Sequence, residues 1–349
     1  MEILTYTGPS RLIVETAEEL PLKSGECRIQ SLYSGISHGT EMGAYRGIAP
    51  YFTRDMDSET RLFEDLAEEH KVKYPIRSCE DDAWFIGYSN VGKIIEVGAD
   101  VEGFSVGDIV FSHGRHQTIV CKHHKKIFKL PQKLEPELGI FYTNLMTAYN
   151  AVLDTRIKIG DVVVVSGLGV VGQLIAQLAK LSGATVVGVD PLENRLNIAR
   201  EVEIDHVFNP NRTDVAKEIR EITNNRGADA VFEVSGHSTA LNQAIRIAAP
   251  DTVITAVGWY QGGQSVLNLS EEFHQNRITI RASQTLGIDP SISHMYNDAR
   301  RRSIGKDLLL KLKLCNLISH RIPFGDAPKA YEMIDKHPHE VLQVVLTYS

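Results

Sequence analysis

Residues 161–190, DVVVVSGLGVVGQLIAQLAKLSGATVVGVD, decide the fold of this chain. Four consecutive valines are typical of a strand buried on both faces, QLIAQLAKLSGA predicts a helix, and TVVGV predicts a second strand. Apolar runs and helix-like stretches continue to alternate through 215–236 and 240–258. We therefore expect an α/β domain with a doubly wound parallel sheet over about 145–285.

A glycine-rich turn joins the first predicted strand to the helix. The sequence Gly167-Leu168-Gly169-Val170-Val171-Gly172 follows the valines and opens the helix. In such a turn the first glycine allows a sharp bend, the second lets the backbone approach a pyrophosphate, and the third lets the helix pack closely on the strand. The helix amino terminus also offers unpaired N–H groups to phosphate. These residues predict a dinucleotide site.

An acidic residue ends the second strand of this unit. Asp190 lies 18 residues beyond Gly172, where a carboxylate can accept hydrogen bonds from the ribose hydroxyls of a dinucleotide. Because its charge would repel a 2′-phosphate, the sequence favours NAD over NADP. Arg195 is close enough in sequence to leave use of both cofactors open. The alternative for Asp190 is a structural role at the strand end.

The rest of the chain predicts a second domain, which a length of 349 residues allows. Stretches such as VGKIIEVG, VGDIVFSH and HQTIVCKH predict short strands before about residue 130. The tail predicts helices at 306–315 and 327–336 and a final strand, which are expected to complete the first domain. We thus predict a β-rich domain at 1–144 and 286–349 and a nucleotide-binding domain at 145–285.

An acidic insertion interrupts the β-rich domain at about 47–83. The segment predicts a helix around 59–70 and has the character of a lid over a substrate site, where Tyr51, Arg54 and Asp57 are candidate contacts. A solvated surface excursion is the alternative, because runs of charge are commonly just exposed faces.

The composition limits the partners of the protein. A net charge of −7 and a pI near 6.0 argue against binding to nucleic acid. No apolar run reaches the roughly 18 residues that span a bilayer, and the first residues do not read as a signal peptide, so we expect a cytoplasmic protein without a membrane partner. The four cysteines form no C-x-x-C pair, which disfavours a disulfide framework and a thiolate zinc cage.

Over almost its whole length the chain resembles the medium-chain dehydrogenase/reductase superfamily, notably in 106–110, 166–184 and 318–324. The resemblance implies a GroES-like β-barrel catalytic domain, a Rossmann domain, and a substrate cleft between them. The zinc alcohol dehydrogenases of this superfamily take their metal ligands from three places. Here these places hold His38 instead of cysteine, Gly87-Tyr88-Ser89 instead of Gly-His-Glu, and Thr143 instead of cysteine.

A tetrahedral catalytic zinc needs three protein ligands and an open position, so we expect no zinc of the family type. A rearranged metal site that uses His38, His113 or His116 with an acid from the insertion stays open. Without a Lewis acid, oxidation of an alcohol needs a base at its oxygen. His38 is the leading candidate for that base.

The resemblance also assigns supporting roles. Thr40 matches a proton-relay hydroxyl, Glu41 matches a carboxylate that orients His38 or a helix end, and Tyr88 either polarises the substrate oxygen or merely fills the vacated volume. In the nucleotide domain Thr147 matches a residue beneath the nicotinamide. The loop Val257-Gly258-Trp259 matches the backbone that faces the nicotinamide carboxamide.

The motif GISHGTE at 35–41, the insertion after it and the ending AYEMIDKHPHE resemble sugar or glycoside C3 dehydrogenases, with bacteriochlorophyllide hydroxyethyl dehydrogenases as a similar branch. We expect NAD-dependent oxidation of a secondary alcohol of a sugar, glycoside or cyclitol, in a homodimer or homotetramer. A zinc-free quinone or enoyl reductase and a catalytically silent NAD(H)-binding protein are the alternatives.

Overall fold

The structure is a computed structural model that describes residues 1–80, 83–261, 266–285 and 287–349. It divides into two compact units. The first comprises Met1–Thr143 and Ile318–Ser349, and the second comprises Asn144–Leu317. In the described ranges no helix is both long enough and apolar enough to cross a membrane.

The secondary structure is numbered in chain order. The strands are β1 (Glu2–Gly8), β2 (Arg11–Thr16), β3 (Glu26–Gly35), β4 (Arg54–Met56), β5 (Phe63–Asp65), β6 (Ile76–Arg77), β7 (Asn90–Val97), β8 (Ile109–Ser112), β9 (Ile119–His123), β10 (Ile127–Lys129), β11 (Val162–Ser166), β12 (Thr185–Val189), β13 (His206–Phe208), β14 (Ala230–Glu233), β15 (Val253–Ala256), β16 (Thr279–Ala282), β17 (Ile318–Pro323) and β18 (Gln343–Thr347). The helices are α1 (Thr40–Tyr45), α2 (Tyr142–Thr155), α3 (Val170–Leu181), α4 (Glu193–Glu201), α5 (Val215–Ile222), α6 (Ser238–Ile247), α7 (Glu272–Gln275), α8 (Asp298–Leu309) and α9 (Ala327–Lys336). Short 3₁₀ turns lie at Pro50–Phe52, His124–Lys126, Pro136–Phe141, Cys315–Leu317 and Phe324–Asp326.

The first unit is β-rich, as expected of a GroES-like domain. One sheet has the order β10-β8-β7-β3-β18-β17, with β9 also paired to β3, and a smaller sheet has the order β2-β1-β6. The last strand of the chain, β18, pairs antiparallel with β3, so the tail does return to the first unit. Its main core joins apolar side chains of β1, α1, α9 and β18, and it therefore fixes α1 at the end of β3.

The insertion at 47–83 differs from the sequence prediction. In place of a helix at 59–70, β4 and β5 form a small antiparallel hairpin. The Asp57 carboxylate accepts hydrogen bonds from the backbone of Glu59 and Thr60, and Arg61 has a φ of 60°. This Asx-type turn replaces helix hydrogen bonds by side-chain bonds, so the helix propensity of the segment is overridden. Asp81 and Asp82 lie outside the described residues.

The second unit is the expected Rossmann fold. Its described part contains a six-stranded sheet in the order β13-β12-β11-β14-β15-β16, and all neighbouring pairs are parallel. Every residue of β11 is buried, in keeping with a central strand covered on both faces. The α/β fold class is thus confirmed, and the glycine turn lies at the carboxyl end of β11.

The segment 287–317 belongs to the second unit, although the sequence prediction placed it in the first. The backbone N–H of Asp289 donates to Asp154 at 2.7 Å, and the Asp289 carboxylate pairs with Arg156 and Arg281. Farther on, the Lys313 N–H donates to the side chain of Gln177 at 2.8 Å. Polar side chains on α2, α3 and β16 therefore hold this segment. Leu286, at the predicted boundary, lies outside the described residues.

Candidate active site and cofactor site

The turn that carries the predicted base is held by Glu41. His38 is half-buried and lies between the end of β3 and the start of α1. The Ser37 N–H donates to Glu41 Oε1 at 2.8 Å, and the Glu41 N–H donates to the Ser37 carbonyl at 3.0 Å. This reciprocal pair closes the turn around His38.

Glu41 is fully buried and accepts three hydrogen bonds. Besides the Ser37 N–H, its carboxylate contacts Nε2 of His116 at 2.9 Å and the hydroxyl of Tyr331. Burial first, and the charge of Glu41 second, raise the pKa of Tyr331 well above its ordinary value, so this phenol stays a neutral donor. A buried carboxylate with three donors is satisfied rather than exposed to substrate.

Tyr88 occupies the place of a lost zinc ligand, and its hydroxyl is engaged. The Tyr88 O–H donates to Ser37 Oγ, and the Thr40 side chain also hydrogen-bonds this hydroxyl. Burial, followed by the charge of Glu41, raises the pKa of Tyr88 to about 12. The structure therefore gathers the hydroxyls of Tyr88, Ser37 and Thr40 beside the His38 turn, in front of a buried carboxylate.

The donor set at the former zinc positions does not fit a tetrahedral zinc. It offers one imidazole, His38, and the hydroxyls of Tyr88 and Thr143, and the Thr143 hydroxyl donates to the Tyr88 carbonyl at 3.2 Å. Zinc prefers thiolate, imidazole and carboxylate ligands. A phenol and an aliphatic hydroxyl are poor substitutes for the two ligands that are missing.

The rearranged metal site is not assembled by the described residues either. His113 is exposed, with Nδ1 3.3 Å from the Tyr88 carbonyl, while His116 is engaged by Glu41 and Ser34. Among the described residues, three metal-binding side chains come within 4.8 Å of one another in an exposed group after α9, formed by His337, His339 and Glu340. That group is far in sequence from the predicted site.

The insertion contributes one of its three candidate residues to the neighbourhood of Glu41. Burial, then the charge of Glu41 and the nearness of Tyr88, raise the pKa of Tyr51. The other two serve the hairpin itself, because Arg54 pairs with Asp65 at 3.1 Å and Asp57 caps its own turn.

The glycine turn is tightly packed at Gly172 and open at Gly169. A Cβ on Gly172 would lie 1.9 Å from the Gly167 carbonyl oxygen, so this position must be glycine for α3 to pack on β11. A Cβ on Gly169, the residue that begins α3, would meet no atom within 4 Å. Open space at a helix amino terminus suits an anion, and Val170 and Val171 form the first turn of that helix.

Asp190 is more buried than the sequence suggests, with 1% of its surface exposed. Its carboxylate accepts from the backbone N–H of Leu168 at 2.8 Å and of Leu192 at 2.9 Å, and it lies 3.4 Å from Arg195 Nη1. The residue thus fixes the glycine turn to the end of β12. A carboxylate has about four acceptor sites, so the ribose role stays a prediction.

The remaining predicted cofactor residues surround the carboxyl edge of the same sheet or lie on α2. The N–H groups of Val257 and Gly258 both donate to the Glu233 carbonyl, at 2.7 and 3.0 Å, while Trp259 is 49% exposed. Thr147 lies half-buried on α2. The two bonded N–H groups are occupied, so a carboxamide at this loop has to use other backbone groups.

Two important residues of this architecture have no motif that marks them in the sequence. Glu233 is fully buried at the end of β14 and accepts from Ser235, Gly236 and Tyr260. His116 bonds the Glu41 carboxylate from the loop between β8 and β9. The contact between His116 and Glu41 depends on the folded structure, since the two residues are 75 residues apart in the sequence.

Comparisons with known proteins agree with this architecture. The zinc-binding dehydrogenase family model matches residues 170–300, which lie in the nucleotide-binding unit. D-guloside 3-dehydrogenases from Escherichia coli K12 and Shigella flexneri are each 31% identical over 355 residues, covering 100% of both chains. The crystal structure of galactitol-1-phosphate dehydrogenase from Escherichia coli superposes with a TM-score of 0.79, 18% identity and coverage of 99% of this chain and 100% of that one.

Proposed function

This chain belongs to the medium-chain dehydrogenase/reductase family, and from that premise we propose that it oxidises a secondary alcohol of a sugar or glycoside with NAD, without a catalytic zinc. Similarity over the whole length to D-guloside 3-dehydrogenases supports a glycoside as substrate, with C3 as the site of oxidation. The matched family model does not argue for zinc, because residues 170–300 include none of His38, Tyr88 and Thr143.

The glycine turn and Asp190 support NAD as the hydride acceptor. The turn leaves open space at the amino terminus of α3, and a carboxylate at Asp190, after the end of β12, would disfavour the 2′-phosphate of NADP. Bound NAD⁺ supplies the chemistry of hydride acceptance at the nicotinamide ring. The net reaction converts a secondary alcohol and NAD⁺ into a ketone, NADH and a proton.

The side chains of the first unit handle the proton. His38 accepts the hydroxyl proton of the substrate, because it is the basic side chain of the turn that Glu41 holds. Tyr88 stays protonated at neutral pH, since its pKa is about 12, so it is not the base, and its one O–H donates to Ser37 Oγ. Ser37 and Thr40 keep its hydroxyl in place.

The observation that carries the zinc-free proposal is this cluster of hydroxyls at the former metal position. The buried charge of Glu41 behind it opposes phenolate formation. The negative charge of Glu41 also disfavours a free alkoxide on the substrate, and it favours transfer of the substrate proton to a neutral base, which becomes a cation. Removal of the proton by His38 as hydride leaves is the step that this environment stabilises.

The experiment is turnover of purified protein on a panel of glycosides, free sugars, cyclitols, simple alcohols, quinones and enones, with NAD(H) and with NADP(H). We expect NAD reduction with a glycoside and loss of this activity in His38→Ala. Reduction of quinones or enones alone would favour the reductase alternative. Tight NAD binding without any turnover would identify a silent binding protein and contradict the proposal.

A further inference from the structure

His116 is fixed in the first unit by its backbone and its ring together. Its N–H donates to the Ile86 carbonyl at 3.1 Å, and its carbonyl accepts from Ser78 Oγ at 3.1 Å. The side chain is fully buried, in the loop between β8 and β9. A buried imidazole with anchored backbone has one orientation, so its two nitrogens point at fixed partners.

The ring also packs against the backbone that leads into Tyr88. Gly87 has a φ of 93°, and a Cβ at this position would lie 2.8 Å from both the Cδ2 and the backbone nitrogen of His116. The glycine that precedes Tyr88 is thus required by the close approach of His116. The same imidazole contacts both sides of the candidate site, namely Glu41 through Nε2 and Gly87, the residue before Tyr88, through its edge.

A chain of side chains behind the site ends near the carboxyl terminus. Tyr348 and Ser34 are 2.7 Å apart through their hydroxyls, Ser34 Oγ is 2.7 Å from His116 Nδ1, and His116 Nε2 is 2.9 Å from Glu41. One order of donors satisfies every member with a neutral imidazole: Tyr348 donates to Ser34, Ser34 to Nδ1, and Nε2–H to the carboxylate. Burial, the largest effect, raises the pKa of Tyr348, so its hydroxyl stays protonated and can donate.

We propose that His116 is the positioning residue of the dehydrogenation: it orients the Glu41 carboxylate, and through Glu41 it holds the Ser37-His38 turn and the Tyr88 hydroxyl in place. This inference rests on the proposed function. It extends the site to Ser34 and Tyr348, so that β18 and the end of the chain support the reaction. Neither His116 nor these two side chains is expected to touch substrate or cofactor.

The test compares His116→Ala with His116→Gln. The glutamine amide can still donate to Glu41, whereas alanine leaves a buried carboxylate with one donor fewer. We expect His116→Ala to lower kcat about 10- to 100-fold with little change in KM, as is usual when a partner that orients a site is removed. His116→Gln should recover most of kcat. His320→Gln, at a half-buried histidine of β17 bonded to Ser319, is the matched control.

Crystal structures of the two variants separate the inference from the proposed function. In His116→Ala we expect the Glu41 carboxylate to leave the Ser37 N–H and Tyr88 to lose Ser37, while His116→Gln keeps both bonds. If His116→Ala does not fold, Tyr348→Phe, which removes only the last hydroxyl, is expected to lower kcat several-fold. A wild-type kcat in His116→Ala or in Tyr348→Phe, or an unchanged Ser37-Tyr88 contact in His116→Ala, would overturn the inference. A wild-type protein without turnover would refute the proposed dehydrogenase function. The contacts predicted for the two variant structures could still be confirmed.

Discussion

The Nε2 atom of His116 lies 2.9 Å from Oε2 of Glu41, and neither side chain is exposed to solvent. The carboxylate that this imidazole bonds also closes the His38 turn, and burial first and the charge of Glu41 second raise the pKa of Tyr88. In zinc dehydrogenases a cation stabilises the substrate oxygen. The corresponding region of this protein is lined by the hydroxyls of Tyr88, Ser37 and Thr40, and in the proposed function His38 takes the substrate proton.

Removal of the Tyr88 hydroxyl tests its role as a donor. Tyr88→Phe keeps the ring that fills the volume but loses the bond to Ser37, so we expect kcat/KM to fall roughly 10²-fold. Because the pKa of Tyr88 is about 12, the neutral-pH limb of the pH–rate profile should keep its position. Steady-state kinetics from acid to mildly alkaline pH measures both. Undiminished kcat/KM would mean that the ring only fills space.

The same raised pKa makes stability fall in alkali. Tyr88 and Tyr331 hold their protons more tightly when folded than unfolded, so the folded state binds more protons once the pH passes the ordinary tyrosine value of about 10. Their contribution is fully present below that pH and is lost as the pH rises toward the folded pKa. Urea unfolding at several pH values should show a steep loss above pH about 10, and a shallower one in Tyr88→Phe. If the unfolding free energy of the wild type and of Tyr88→Phe falls equally with pH, the raised pKa of Tyr88 is contradicted.

Substitutions at two glycines of the turn distinguish an effect on cofactor binding from an effect on folding. Gly172→Ala would place a Cβ 1.9 Å from the Gly167 oxygen and should disrupt the unit, whereas the Cβ of Gly169→Ala meets nothing within 4 Å. We expect Gly169→Ala to stay folded, with a capping cost of about 1 kcal/mol at most, and to lose affinity for NAD. Calorimetry and thermal melting distinguish the outcomes. Normal NAD binding by folded Gly169→Ala would place the pyrophosphate elsewhere.

Asp190 has a structural role and a predicted role in cofactor binding. Two substitutions at this residue distinguish these roles. Asp190→Ala leaves the buried N–H of Leu168 and the partly buried N–H of Leu192 without their acceptor, so we expect a loss of about 1–3 kcal/mol in unfolding free energy from the buried group. Asp190→Asn keeps an acceptor oxygen without the charge, and should shift preference toward NADP. Equal weakening of NAD and NADP binding in Asp190→Asn would show that the residue only supports the turn.

Local sequence patterns predicted the parts of the fold that depend on local sequence. The valines of β11, the glycine turn and α3 form one continuous stretch, and the helix at 327–336 agrees with α9. The hairpin in the insertion escaped prediction because Asp57 bonds its own turn. The place of 287–317 depends on Asp289 meeting Asp154, which is 135 residues away.

In the candidate site, too, short motifs predicted some residues and long-range packing determines others. His38, Thr40 and Glu41 share one short motif, and Tyr88 lies in a second motif, so the resemblance named all four as candidates. His116 has no motif and entered only as a possible metal ligand. Its role comes from long-range packing against Gly87 and Glu41, which a single sequence does not reveal.

The most direct test of the account measures bound metal and NAD-dependent oxidation of glycosides on the same preparation, before and after treatment with a chelator. We expect far less than one zinc per chain, and NAD reduction that persists through chelation and disappears in His38→Ala. Zinc at one per chain, with turnover lost on chelation and restored by zinc, would contradict it.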